Sequence, residues 1–154
     1  MRKFEIVSEK EFLKNNSLED YTKIKLPSRA TSSSAGYDFY LPYDLVIKPK
    51  ESILVKTGIK ACMENDEFLM IVIRSSLGVK KGLQLSNNVG IIDSDYYNNI
   101  DNEGHIMISL KNCSDIAVTL MCGERIAQGI FLKYLKVDDD SNQNARLGGF
   151  GSTN

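Results

Sequence analysis

Nine residues close the chain, Arg146-Leu147-Gly148-Gly149-Phe150-Gly151-Ser152-Thr153-Asn154, and several of their side chains suit a nucleotide. Arg146 offers a planar guanidinium fork for phosphate oxygens. Phe150 offers a face on which a base can stack. Ser152 and Thr153 add hydroxyls, and Gly151 a bare backbone N–H that an anion can approach closely. The polar run 138–144 ahead of them reads as the root of a mobile arm. On these residues alone two readings stand side by side, an arm that closes over a nucleotide and a disordered end.

Four internal segments carry polar groups inside an otherwise apolar pattern. In Ala35-Gly36-Tyr37-Asp38-Phe39, Asp38 is either a turn aspartate or a carboxylate holding the waters of a bound Mg²⁺, which prefers oxygen ligands and keeps several waters. Arg74-Ser75-Ser76-Leu77-Gly78 follows the apolar run 68–73. It sets a guanidinium, two hydroxyls and successive backbone N–H groups at one turn, a combination that binds phosphate. It lacks Walker-A spacing, and an ordinary surface turn is the alternative.

The third segment runs Asn87-Asn88-Val89-Gly90-Ile91-Ile92-Asp93-Ser94-Asp95-Tyr96-Tyr97. Asp93, at the end of a buried strand, is placed to act as a general base for water. The amide of Asn87 matches a pyrimidine edge, and the ring of Tyr96 can pack on a sugar. Strand alternation predicts that Asp93 and Asp95 point to opposite faces and do not share a site. In Gly123-Glu124-Arg125-Ile126-Ala127-Gln128-Gly129-Ile130, the same alternation puts Gln128 on a face with Ile126 and Ile130. Arg125 falls on the other. A glutamine on an apolar face needs a partner, which a phosphate or an attacking water would supply.

The elements that must position these groups read as β. Short apolar or alternating runs at 23–26, 37–40, 45–47, 52–56, 68–73, 83–85, 106–110, 117–120 and 125–134 are separated by turn residues, the pattern of a sandwich or barrel. One short helix is predicted after Ser8-Glu9-Lys10-Glu11, which fits a capping box, ending by Asn15-Asn16. A single domain over 1–137 and an arm over 138–154 account for the 154 residues. A net charge of −1 and a pI near 5.9 argue against a nucleic-acid surface. No apolar run approaches ~18 residues, so no membrane span is expected. The N-terminus lacks the apolar stretch of a signal peptide. Three scattered cysteines read as free thiols in a reducing cytoplasm, and a single histidine supplies neither a zinc site nor a Ser/His/Asp triad.

The four segments, in this order and with the glycine-rich arm last, resemble the five motifs of the trimeric deoxyuridine triphosphatase (dUTPase) family over roughly residues 23–154. The resemblance implies an all-β, distorted jelly roll with a short N-terminal helix and a flexible C-terminal arm. It implies a homotrimer whose sites are built from several subunits, the arm closing over a neighbouring active site. The activity implied is Mg²⁺-dependent cleavage of dUTP to dUMP and pyrophosphate, which keeps uracil out of DNA. Asp93 matches the base that activates water for attack on the α-phosphorus. Gln128, Arg74, Ser75 and Ser76 match phosphate or water contacts. Asn87 matches the uracil-reading amide, helped by backbone near Gly90, and Tyr96 the residue under the deoxyribose. Asp38 matches the acid reaching Mg²⁺ through water. Arg146, Phe150, Gly151, Ser152 and Thr153 match the arm. Two departures stand out. Arg146 precedes Phe150 by four residues instead of the commoner five, and a longer loop, 97–104, replaces the usual short turn. A dCTP deaminase of the same fold is the rival enzyme. A phage-type member that also binds a repressor protein is the rival of another class.

Overall fold

A computed structural model describes residues 1–142, 144 and 146 of the chain. Eleven strands, all antiparallel, form two main sheets and two ribbons. The larger sheet joins β2 (Tyr37–Tyr40), β11 (Arg125–Lys133), β6 (Glu67–Ile73) and β8 (Gly90–Asp93), in that order. The second joins β4 (Ser52–Lys56), β9 (Met107–Asn112) and β7 (Leu83–Leu85). The ribbons pair β1 (Lys3–Ile6) with β5 (Ile59–Cys62) and β3 (Leu45–Ile47) with β10 (Val118–Leu120). Alternation decides what faces inward: Leu69 and Ile71 of β6 and Ile108 and Leu110 of β9 meet in one core with Phe39, Ile47, Val55, Leu120 and Ile126. This is the distorted jelly roll expected from the sequence.

Three helices are present where one was expected. α1 (Glu9–Phe12) starts at the predicted cap, Ser8 Oγ accepting from Glu11 N at 3.2 Å. The reciprocal half of the box is made differently: Glu103 accepts from Ser8 N at 3.0 Å, while Glu11 turns to His105. α2 (Leu18–Thr22) has its own complete capping box, Ser17 with Asp20. The amides of Lys23 and Ile24 close its last turn by donating to Asp20 and Tyr21 carbonyls, so they serve no ladder and no strand forms at 23–26. α3 (Ser75–Lys81) replaces the expected turn after β6 and stops at Gly82, in the left-handed region.

The N-terminal segment is part of the fold. Phe4 stacks within 5.3 Å of the Tyr37 and Phe131 rings and 5.7 Å of Phe39, sealing one face of the larger sheet. His105, fully buried, ties α1 to the body. The backbone N–H of Gly58 donates to its Nε2 at 2.9 Å, which leaves the proton on Nδ1, 3.2 Å from a Glu11 oxygen.

Burial pushes His105 below its ordinary value of 6.5, against the pull of Glu11. The unfolded chain therefore takes up this proton at a pH where the folded chain refuses it. Stability is complete above about pH 6.5 and is lost as pH falls from there toward the depressed folded value. Denaturant unfolding at about pH 7.5 and about pH 5.5 should show that loss, with His105→Gln flattening the slope. An equal slope in both proteins would assign it to other groups.

Candidate active site

The sheet order delivers the site residues to two places. At one end of the larger sheet, Gln128 pairs across β11 with Asp38 on β2 and with Val72 on β6, so Asp38 and Gln128 lie side by side. Gly36 lets Gln128 settle there: a Cβ at Gly36 would stand 2.4 Å from Gln128 Oε1. A bulge between Arg125 and Ala127 breaks the expected alternation. Ile126 and Ala127 are both buried, and Arg125, placed by sequence on the far face, donates to Asp38 Oδ2 at 3.2 Å. Arg74, just beyond β6, reaches Asp38 Oδ1 at 3.3 Å. The buried carboxylate is thus held between two guanidinium groups.

Next to it lies a cavity of about 350 Å³ lined by Arg74, Ser76, Lys80, Lys81, Gly123 and Arg125. Lys81 pairs with Glu124 at 3.1 Å. Ser75 and Ser76 open α3 at the rim, Ser75 exposed and Ser76 half-buried. The cationic walls suit a polyanionic chain. Sequence reasoning did not find Arg125, Lys80 or Lys81. The turn Met121-Cys122-Gly123-Glu124 just before Arg125 was the available signal for the first.

A second cavity, of about 280 Å³, lies between β8 and the second sheet. Ile71, Leu85, Ile92 and Ile108 make it apolar, and Asn87 and Gly90 stand at its edge. A flat ring fits such a slot, with the Asn87 amide and the backbone near Gly90 to read its edge.

Asp93 ends β8 opposite Phe68. The strand is an edge strand, and the Asp93 side chain is 53% exposed, not buried as its apolar approach suggested. The chain then turns through a 3-10 turn at Ser94–Tyr96, so strand alternation stops applying and Asp93 and Asp95 come together. Arg146 clasps both, Nη2 to Asp93 and Nε to Asp95 at 2.7 Å, with its guanidinium carbon 5.7 Å from the centre of the Tyr96 ring. Burial raises the Tyr96 pKa, and its protonated phenol donates to the His105 carbonyl at 2.9 Å. Phe150, Gly151, Ser152 and Thr153, expected on the arm, lie outside the described residues.

The two groups are far apart within one chain. Asp93 pairs with Phe68, whereas Arg74 follows Ile73 at the other end of β6. Six residues of extended chain separate them, about 20 Å at ~3.4 Å per residue, more than a triphosphate spans.

Among the described residues, no group of three or more His, Cys, Asp or Glu side chains could cage a metal. Asp38 has both oxygens facing arginines, each with a second lone pair left for water. That donor set fits an ion carried by phosphate oxygens and touching the chain only through water.

An all-β jelly roll here carries a cationic cavity, an apolar slot with an amide at its lip and an exposed strand-end carboxylate, groups whose chemistry suits a nucleotide. The chain belongs to the dUTPase family, whose model matches residues 22–154. It is 48% identical over 132 residues to the deoxyuridine 5'-triphosphate nucleotidohydrolase of Lactococcus lactis subsp. lactis (strain IL1403), covering 84% of this chain and 88% of that protein. The namesake protein of Hydrogenobaculum sp. (strain Y04AAS1) is 40% identical over 134 residues, 83% and 89% of the two chains. The crystal structure of dUTPase from Streptococcus mutans superposes with a TM-score of 0.74 at 42% identity, over 88% of this chain and 98% of that one. The dUTPase from phage phi11 of S. aureus shares the fold at 17% identity and a TM-score of 0.70, over 94% and 97% of the chains, and its D95N mutant coordinates a structural Mg(II) ion.

The double clamp on Asp38 makes a quantitative prediction. Arg74→Ala or Arg125→Ala alone leaves one cation on the buried carboxylate. The double variant leaves none and should lose at least about 1 kcal/mol more than the sum of the singles. A double-mutant cycle by denaturant unfolding measures this. Strict additivity would show that solvent, not the arginines, compensates Asp38.

Proposed function

We propose that the chain is a dUTP diphosphatase: water attacks the α-phosphorus of dUTP, the bond to the bridging oxygen breaks, and dUMP and pyrophosphate leave. The observation that carries this reading is the division of labour between two sheet ends. One end gathers Asp38, Arg74, Arg125 and Gln128 around a cationic cavity. The other presents Asp93 and Tyr96, with Asn87 and Gly90 at an apolar slot. A nucleoside triphosphate has the matching polarity, an anionic tail and a flat, edge-readable base.

The two ends sit too far apart to serve one substrate within a chain, so the active form is a homotrimer in which one subunit supplies the phosphate end and a neighbour the base end. Uracil enters the slot, where Asn87 faces its O4 and N3–H and a backbone N–H near Gly90 meets a carbonyl. Cytosine presents the reversed order and leaves buried groups unpaired. Tyr96 lies flat under the deoxyribose, where a 2′-hydroxyl would collide. Arg74, Ser75, Ser76 and Gln128 hold phosphate oxygens and the attacking water in line. Asp93 takes the proton of that water. Asp38 is the residue that would hold Mg²⁺ through water, and the ion would supply neutralisation of the charge on the leaving pyrophosphate.

The arm, 138–154, closes over a neighbouring active site. Arg146 there reaches the outer phosphates, Phe150 covers uracil, and Gly151, Ser152 and Thr153 add contacts to the phosphates. Within one chain Arg146 rests on Asp93 and Asp95. Phosphate oxygens compete for that guanidinium, so the substrate both seats the arm and frees the base. The reaction belongs in the cytoplasm, where deoxynucleotides are made.

Pyrophosphate release tests the assignment. Asp93→Asn should bind dUTP nearly as the parent does and turn over at least ~10²-fold more slowly, the size of a general-base contribution. Turnover within a few-fold of the parent would remove Asp93 from the role of base. In the parent, dUTP should far exceed dCTP and UTP in kcat/KM, and ammonia release from dCTP would instead mark a deaminase.

A further inference from the structure

Among the described residues eight polar or charged side chains are buried, and four of them, Glu11, Asn99, Asn102 and His105, belong to one connected network around Tyr96. Asn102 Nδ2 donates to the Tyr96 hydroxyl at 2.8 Å, and that hydroxyl donates to the His105 carbonyl at 2.9 Å. Asn99 Nδ2 donates both to the Tyr96 carbonyl and to Asn102 Oδ1, each at 2.8 Å. Tyr96 is therefore gripped at its backbone and at its phenol. His105 is in turn fixed between the Gly58 amide and Glu11. No buried side-chain polar atom among the described residues lacks a partner, so the network is saturated.

Two segments supply this grip, the loop 97–104 and the helix α1. The loop 97–104 follows directly on Tyr96. It ends at Gly104, with φ at +81°, where a Cβ would stand 2.5 Å from the Tyr96 carbonyl oxygen. The helix α1 lies ahead of residue 22, where the family match begins. It is stitched to the loop at two points, where Ser8 donates to Glu103 and Lys14 to the Asp101 carbonyl at 3.3 Å, and to the residue just after the loop, where Glu11 accepts from His105.

We infer that α1 and the loop 97–104 form a brace that immobilises the Tyr96 ring and thereby sets the preference for deoxyribose over ribose, with Glu11, His105, Asn99 and Asn102 as positioning residues. This rests on the assignment of Tyr96 as the sugar platform. Rejecting a 2′-hydroxyl by collision demands a wall that does not yield. A ring free to shift by a fraction of an ångström would admit the extra oxygen, whereas a ring locked by packing and hydrogen bonds would not. The choice between uracil and cytosine is made elsewhere, at Asn87 and Gly90, and is independent of the brace.

The test uses the full chain with Glu11→Ala, Glu11→Gln, Asn102→Ala and Tyr96→Phe. Glu11→Ala and Asn102→Ala should each narrow the dUTP-over-UTP ratio of kcat/KM by about tenfold or more, the scale of one lost buried hydrogen bond, and leave dUTP-over-dCTP within about twofold. Glu11→Gln keeps an acceptor for His105 Nδ1–H and should restore the parent ratio. Ring NMR on labelled tyrosine, with the Tyr96 signal identified by its loss in Tyr96→Phe, should show faster ring flipping in Glu11→Ala. Should Asn102→Ala not fold, Tyr96→Phe, which deletes both phenol hydrogen bonds and keeps the ring, must show the same narrowing. Variants that only lower the melting temperature, with both ratios and the flip rate unchanged, overturn the brace. Tyr96→Ala separates the two claims. If it admits UTP while the brace variants do not, the brace falls and the platform stands. If it rejects UTP as firmly as the parent, the platform assignment falls, and the brace's role in sugar choice with it.

Discussion

The fixed length of β6 governs the functional anatomy of this chain. Seven residues, Glu67–Ile73, pair with β11 along their whole length, and Phe68–Ile71 pair with β8 on the other side, so the strand cannot shorten or bend to bring its ends together. The cationic cluster of Arg74, Arg125, Lys80 and Lys81 lies at the Ile73 end, and Asp93, the carboxylate assigned to water activation, lies opposite Phe68 at the other. A backbone ladder of this kind is stiff because slipping it by one residue would turn Leu69 and Ile71 out of the core. The two groups of polar residues are therefore held apart by the same hydrogen bonds that make the fold, which is the reason for proposing that subunits share each site.

Charge is arranged to suit that division. The phosphate end carries Arg74, Arg125, Lys80 and Lys81 against Asp38 and Glu124. Asp38 sets the direction of two long, flexible side chains before any ligand arrives, which lowers the ordering cost of binding. The base end is nearly neutral apart from Asp93 and Asp95, which Arg146 covers. The charge distribution suits a ligand with an anionic group at one end and an apolar ring at the other.

Sequence pattern made some of this legible. β2, β3, β4 and β7 fall at the residues their apolar runs and flanking turns indicate, although each finds its partner far along the chain. The residues proposed to carry the chemistry read in the sequence as polar types placed at strand ends. What escaped had a long-range cause. β1 hides its single inward ring, Phe4, between Lys3 and Glu5, and its partner β5 lies some fifty residues away. The bulge at Arg125 depends on the register of two neighbouring strands, which period-two reasoning cannot foresee. Asp93 and Asp95 meet because a 3-10 turn begins where the strand stops. The loop's asparagines read as mere polarity until Tyr96 is seen at their centre.

The central claim is that Asp93 and the Arg74–Gln128 cluster reach one substrate only from different chains. Complementation tests it directly. Asp93→Asn and Gln128→Ala should each be nearly inactive alone. After unfolding together and refolding as mixed assemblies, about a quarter of the sites should combine two intact halves by random assortment, and dUTP hydrolysis should return to that level. Mixed assemblies that stay as inactive as their parents would contradict the account, because that result means each site draws both halves from a single chain.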